Sequence, residues 1–196
     1  MSQSLVSTLF TVVTLMLSII GCGDQNPHTL INTELGDIEC EIFLDKAPVT
    51  AANFLKYIDE DRFRGATFYR TVTMDNQPDN DIKIEVIQGG LGDDSDSLGL
   101  SPILHETTES TGVKHLDGVI SMARLEPGTA SSEFFICIGD QPELDFGGRR
   151  NPDGQGFAAF GRVVRGMDIV RQIQTRPADG QWLQPEIKIV GVSRVN

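Results

Sequence analysis

The sequence has 196 residues, of which 39% are hydrophobic and 22% are charged, as expected for a soluble globular protein with one core. Its 28 Asp and Glu residues outnumber its 16 Lys and Arg residues, and the formal net charge is −12 at pH 7. An excess of negative charge repels phosphate backbones, so the composition argues against a nucleic-acid partner.

The N-terminal segment differs in composition from the rest of the chain. Residues 5–20 are apolar or hydroxylic and carry no charge, and the first Lys or Arg is Lys46. This run is shorter than the ~20 residues of a comfortable bilayer span, which favours a removable export signal. The sequence Ile-Ile-Gly-Cys at 19–22 resembles a bacterial lipobox, in which the Cys carries the lipid. We therefore expect an exported protein with a lipid anchor on Cys22, in the periplasm or at a membrane; plain secretion and a retained anchor remain open alternatives.

A short linker at 23–28 leads into the predicted domain, residues 29–196. Alternating apolar residues predict a half-buried strand within 29–44, and Pro48 is well placed to open a helix that continues through 51–58. Further strands are predicted at 68–72, 82–88, 118–124, 133–138, 157–164 and 187–192, with a second helix at 166–174. Many short strands with two helices favour a mainly β fold and a closed barrel rather than an alternating α/β sheet.

Neither a metal ion nor a cofactor is predicted. The acidic loop at 93–99 has Leu98 at the fifth position of a calcium-loop alignment and His105 at the twelfth, where acidic ligands are needed. The three His residues show no zinc-ligand spacing. Cys40 and Cys137 lie in apolar segments and are interpreted as buried thiols, although a disulfide between them remains open.

Several motifs occur in a characteristic order. They are FYR at 68–70, VIQGG at 86–90, GVISMAR at 118–124, ASSEFFI at 130–136, LD at 144–145 and FAAFGRVVRGMD at 157–168. Together they resemble the cyclophilin family of peptidyl-prolyl isomerases, and its bacterial branch in particular. The likeness runs from about residue 29 to residue 195.

The resemblance implies a closed eight-stranded antiparallel β-barrel capped by two α-helices, acting as a monomer on proline-containing polypeptides. Arg70 matches the family's catalytic Arg. The implied substrate-binding residues are Phe68, Val86, Gln88, Ala123, Arg124, Glu133, Phe135, Leu144 and Phe157. Rotation about a peptide bond has a barrier of about 18–20 kcal/mol, and a hydrogen-bonding guanidinium lowers it without any nucleophile or metal.

The chain departs from the family pattern at three carboxylates. Glu85 and Glu143 replace aromatic residues, and Glu133 replaces a Gln that contacts the substrate backbone. Such carboxylates would pair with Arg70 and occupy its donors, or would favour basic peptides. The segment at 73–83 is also longer than usual. Two alternatives stay open: a proline-peptide binding module or chaperone with weak catalysis, and an acidic metal-binding envelope protein.

Overall fold

The computed structural model describes residues 26–92 and 95–195, in which β-strands predominate. The export signal, Cys22, Asp93 and Asp94 lie outside these residues. The strands are β1 His28–Thr33, β2 Gly36–Ile42, β3 Thr67–Val72, β4 Val86–Gly90, β5 Val119–Met122, β6 Phe134–Cys137, β7 Ala158–Arg165, β8 Ala178–Asp179 and β9 Trp182–Val195. The helices are α1 Pro48–Asp59, α2 Ser95–Leu98, α3 Thr108–Thr111, α4 Met167–Gln174 and a 3-10 turn at Pro142–Leu144.

Eight of these strands close into a ring. Their order is β1-β2-β7-β5-β6-β4-β3-β9, β9 returns to pair with β1, and every pairing is antiparallel. The two-residue β8 pairs with β9 outside this ring. The predicted closed eight-stranded barrel is confirmed.

Alternation along the strands separates the barrel interior from an outer apolar cluster. In β6, Phe134 and Ile136 belong to the central core, whereas Phe135 and Cys137 belong to a second cluster with Val86 of β4. Successive side chains of a strand point to opposite faces, so one short strand contributes to both clusters. The strands that enclose the barrel core therefore also provide the apolar floor of a site on its outer surface.

Helices α1 and α4 cover the barrel. Proline stands in the first turn of α1, which buries Phe54 against Phe134 and Phe160 at ring-centroid distances of 5.5 and 5.1 Å. Val170 and Ile173 form the buried face of α4. The one-turn helices α2 and α3 were not predicted. None of the helices within the described residues is long and apolar enough to cross a membrane.

Most predicted strands shift by one or two residues, and three differ more: those predicted at 29–44, 82–88 and 187–192, of which the last is the longer β9. Residues 29–44 form the hairpin β1–β2, because the Thr33 hydroxyl closes a turn by accepting from the Leu35 amide and donating to the Gly36 carbonyl. The strand predicted at 82–88 begins only at Val86. The amide and carbonyl of Ile84 are instead bound by the buried side chain of Gln77.

Cys40 and Cys137 are free and buried. They lie in β2 and β6, which are not neighbours in the sheet, and they belong to different apolar clusters. The interpretation as buried thiols is confirmed. Burial raises the pKa of Cys40 to about 12.

Candidate active site

A bulge in β3 brings two neighbouring side chains to the outer surface of the barrel. Phe68 pairs with Gly89 and Arg70 pairs with Gln88, so Tyr69 is an extra residue between two ladder positions. Phe68 points into the core at 0% exposure. The side chains of Tyr69 and Arg70 both reach Gln88 on the outside.

Arg70 is held by two neutral amides. Its Nε and Nη2 donate to Oε1 of Gln181 at 2.9 and 2.5 Å, and Nη1 donates to Oε1 of Gln88 at 2.8 Å. An arginine has five N–H donors, so within the described structure one remains without a partner on Nη1 and one on Nη2. Burial lowers the pKa of Arg70, but a guanidinium stays protonated at neutral pH. Among the described residues, no carboxylate lies within ion-pair distance of it.

The orientation of Gln88 is determined by a second set of bonds. Its Nε2 donates to the Tyr69 hydroxyl at 2.7 Å, and that hydroxyl donates to Oε2 of Glu133 at 2.5 Å. Burial, followed by the charge of Glu133, raises the pKa of Tyr69, which keeps the phenol as a donor. The amide oxygen of Gln88 is therefore left to accept from Arg70.

A cavity of about 290 Å³ lies beside the Arg70 guanidinium. The residues that line it are Arg70, Ile84, Val86, Gln88, Ala123, Arg124, Leu125, Phe135, Leu144, Arg150, Asn151 and Phe157. Phe135 is only 4% exposed and meets Phe157 edge to face at 5.3 Å. The site thus combines an apolar floor with charged donors at its edge.

The chain matches the family model "Cyclophilin type peptidyl-prolyl cis-trans isomerase/CLD" over residues 28–194. The chain belongs to the cyclophilin family. It is 32% identical over 180 residues to peptidyl-prolyl cis-trans isomerase A of Dickeya dadantii, covering 89% of this chain and 87% of that protein. It is 34% identical over 146 residues to peptidyl-prolyl cis-trans isomerase B of Escherichia coli, covering 73% and 81% of the two chains. The predicted isomerase family is confirmed.

Solved structures share the cyclophilin fold. A cyclophilin-type isomerase of Cryptosporidium parvum superposes with a TM-score of 0.71 at 22% identity, covering 87% of this chain and 98% of that one. The same protein in the presence of the dipeptide Ala-Pro gives a TM-score of 0.70 at 21% identity, covering 86% and 99%.

Most of the residues predicted for the cyclophilin site line the cavity. They are Arg70, Val86, Gln88, Ala123, Arg124, Phe135, Leu144 and Phe157. Phe68 does not: it packs in the barrel against Phe134 at 5.7 Å, so its predicted contact with substrate is corrected. Phe68 and Arg70 would share a face in a regular strand, but the bulge at Tyr69 places Arg70 on the outside while Phe68 points into the barrel.

Glu133 requires a second correction. Its Oε1 accepts from the amides of Leu91 and Gly92 at 3.0 and 3.2 Å and from the Ser132 hydroxyl at 2.9 Å. Its Oε2 accepts from Tyr69. The carboxylate is therefore neither paired with Arg70 nor part of the cavity lining, and it reaches Arg70 only through Tyr69 and Gln88.

The other two carboxylates are also engaged away from Arg70. Glu143 pairs with Arg149 at 2.9 Å, and the hydrogen bond from Arg149 lowers the pKa of this exposed carboxyl. Glu85 accepts from Nε2 of Gln174 at 3.3 Å. The expectation that these residues occupy the donors of Arg70 is therefore wrong.

Arg124 lines the cavity with its charge compensated. It donates to both carboxylate oxygens of Asp153 at 2.8 and 3.0 Å and to the Gly156 carbonyl. Its guanidinium also lies 5.2 Å from the centroid of Phe157. Only 1% of its side chain is exposed. Through the bonds to Gly156, Arg124 holds the loop that carries Phe157 against the end of β5.

A buried Ser-His-Asp set supports the cavity floor from behind. Nδ1 of His115 lies 2.8 Å from Oδ1 of Asp145, and Nε2 lies 3.0 Å from the Ser121 hydroxyl. Burial lowers the pKa of His115, whose ring stacks on Phe135 at 6.0 Å. His115 and Ser121 are both fully buried, so no substrate reaches them and the set has a structural role.

Three polar residues of the site were missed by sequence reasoning. Gln181 follows β8 and lies far from Arg70 in the chain, so only the fold brings it to the guanidinium. Arg150 and Asn151 belong to the Gly-rich segment 147–156. The adjacent arginines Arg149 and Arg150 were the one feature of this segment that could have indicated a binding role.

Proposed function

We propose that this protein accelerates rotation about X-Pro peptide bonds in polypeptides, with Arg70 as the catalytic residue. The observation that supports this most directly is the position of its guanidinium, beside the apolar floor of the cavity, with two N–H donors that have no partner among the described residues. The Ala-Pro dipeptide used with the Cryptosporidium parvum protein belongs to the same class of ligand.

The cavity and Arg70 have separate roles in this mechanism. The apolar residues Phe135, Leu144 and Val86 hold the proline ring while the preceding carbonyl rotates. As the peptide bond twists it loses conjugation, and the prolyl nitrogen regains a lone pair that accepts a hydrogen bond. The free N–H donors of Arg70 bind that nitrogen or the nearby carbonyl more strongly in the twisted state than in the planar one. Only such differential binding accelerates the reaction.

The neutral partners of Arg70 matter for this chemistry. Gln88 and Gln181 orient the guanidinium without cancelling its charge. A carboxylate partner would orient it too, but would also cancel its charge. The carboxylates that suggested a binding module with little turnover have other partners. No observation in the described residues now favours that alternative.

The proposal is tested by prolyl isomerisation of a short peptide, measured with wild type and Arg70→Ala. If two hydrogen bonds to the twisted state are lost, each worth about 1.4 kcal/mol, kcat/KM falls about a hundredfold. Arg64→Ala is the control, because Arg64 is an exposed arginine paired with Asp61 and lies outside the cavity. Equal rates for wild type and Arg70→Ala would refute the proposal.

We also infer that the protein is exported and anchored by a lipid on Cys22, and that it acts as a monomer on exported or unfolded chains. The support for the anchor is the uncharged segment 5–20 followed by the lipobox-like residues 19–22. Intact-mass analysis after detergent extraction should show a lipid-sized increment on a chain that begins at Cys22. An unmodified chain that begins beyond Cys22 would refute the anchor. The monomer is tested by sedimentation, and a species heavier than one chain would refute it.

A further inference from the structure

The wall of the cavity is cationic, although the chain as a whole carries a net charge of −12. Arg70, Arg124 and Arg150 all line it. Asp153 compensates Arg124, but within residues 26–92 and 95–195 neither Arg70 nor Arg150 has a carboxylate partner. Two uncompensated guanidinium groups therefore share one half-enclosed space.

Arg150 is fixed in place by neutral acceptors. Its Nη1 donates to Oε1 of Gln77 at 2.9 Å and to the Ile82 carbonyl at 2.5 Å. Gln77 is 2% exposed and is itself bonded to the carbonyls of Thr73 and Ile84. The guanidinium is thus anchored at one nitrogen, while Nε and Nη2 have no acceptor in the described part of the chain.

Asn151 adds a second unused donor to the same wall. Its Nδ2 is buried and has no hydrogen-bond partner among the described residues. A buried donor without an acceptor is costly, by about 1–3 kcal/mol. Within the described residues, this part of the wall therefore has more donors, on Arg150 and Asn151, than acceptors.

The long segment 73–83 positions both uncompensated arginines. It supplies Gln77 and the Ile82 carbonyl to Arg150 directly. It also supplies the Asn76 carbonyl, which accepts from Nε2 of Gln181 at 3.0 Å and so orients the amide that holds Arg70. The extra length of this segment thus has a structural consequence at the site.

We propose that the cavity selects proline-containing peptides with a carboxylate close to the proline, and that Arg150 is the residue that determines this specificity. The inference rests on the isomerase function proposed above and names the class of substrate for it. A carboxylate would accept from the free donors of Arg150 and would relieve the repulsion between two like charges. Burial and the nearby charge of Arg70 lower the pKa of Arg150, which is the electrostatic sign of that repulsion.

The carboxylate has two possible sources, an acidic side chain or a free chain end. The experiment compares amidated peptides that carry Glu or Gln at each of the two positions on either side of one proline. A further pair carries a free or an amidated C-terminus directly after the proline. For each peptide, kcat/KM is measured by isomerisation and Kd by fluorescence anisotropy, at low and at high salt.

Wild type should prefer at least one peptide with a carboxylate, on Glu or at a free C-terminus, over its neutral counterpart about fivefold at low salt, the scale of a partly exposed ion pair. The preference should shrink as salt rises, because the charges are partly exposed to solvent. If the preference follows the free C-terminus and not Glu, the chain end is the source. Arg150→Gln should bring the Glu-to-Gln ratio close to one, and Arg150→Lys should restore part of it.

Arg149→Gln is the matched control. It removes the same charge from the neighbouring position, but Arg149 is exposed, paired with Glu143, and outside the cavity lining. Its Glu-to-Gln ratio should equal that of wild type; a ratio that falls as far as in Arg150→Gln would show only a general charge effect and refute the proposal.

The outcome separates this inference from the function on which it rests. Equal Kd values for all matched peptides refute the carboxylate preference, whether or not the protein is an isomerase. A Glu preference in Kd with no isomerisation of any peptide supports the inference and refutes the catalytic function.

Discussion

Gln181 offers the sharpest test of how Arg70 is positioned. Its Oε1 accepts from two nitrogens of the Arg70 guanidinium at 2.9 and 2.5 Å, and its Nε2 is held by the Asn76 carbonyl. Gln181→Ala removes both acceptor contacts and leaves Arg70 tethered through Gln88 alone. The guanidinium can then turn away from the cavity while its charge remains.

The expected magnitude follows from these contacts. A buried hydrogen bond to a charged group contributes about 1.5–3 kcal/mol, but Arg70 is half-buried and water replaces part of each bond. We expect Gln181→Ala to reduce transition-state stabilisation by about 1–2 kcal/mol, which is about a five- to thirtyfold fall in kcat/KM. The fall should lie mainly in kcat, because the apolar floor that binds proline is unchanged.

The assay is prolyl isomerisation by wild type and Gln181→Ala, with thermal melting to verify folding. Gln172→Ala is the control, since Gln172 is an exposed glutamine in α4 whose side chain makes no hydrogen bond within the described structure. An unchanged kcat/KM in Gln181→Ala would refute the idea that this amide positions Arg70.

Three further predictions concern Glu133, the two buried thiols and His115. Glu133→Gln should not raise kcat/KM on neutral peptides, because the carboxylate binds Tyr69 and backbone amides rather than Arg70. A clear rise would instead indicate that Glu133 does compete for the donors of Arg70. Cys40 and Cys137 should react with a thiol reagent only after unfolding, and rapid labelling of the native protein would contradict their burial. Because burial lowers the pKa of His115, the folded state binds fewer protons than the unfolded state below about pH 6.5. The free energy of unfolding, measured in urea, should therefore fall as the pH is lowered from 7 to 5, by up to about 1.4 kcal/mol per pH unit. If His115→Asn loses stability equally steeply over this range, His115 is not the cause of the pH dependence.

The fold was predictable because its signals are local or belong to ordered motifs. Apolar alternation, turn residues and the order of the motifs from residue 68 to residue 168 led to the closed barrel that the structure shows. Element ends were less predictable. The strand before Val86 is shortened because the Gln77 side chain binds the backbone of Ile84, a competition that periodicity does not reveal.

At the site, the sequence identified side chains but not their partners. It indicated Arg70, Gln88 and the apolar floor, and these residues do lie together. It also placed Phe68 in the groove, because motif membership does not say which face of a bulged strand a residue occupies. The pairing of Glu133 was likewise open, since a carboxylate binds whichever donors the fold brings within reach.

The sequence by itself determined the barrel, the family and the identity of the principal site residues, because these depend on periodicity and on motifs read along the chain. Only the tertiary structure decided how charge is distributed around the cavity. Gln181 reaches Arg70 from 111 residues away, and Gln77 reaches Arg150 from 73 residues away. Such contacts depend on strand register and on the paths of the loops. As a result, amides hold Arg70 and Arg150, while the carboxylates of Glu85, Glu133 and Glu143 are bound elsewhere.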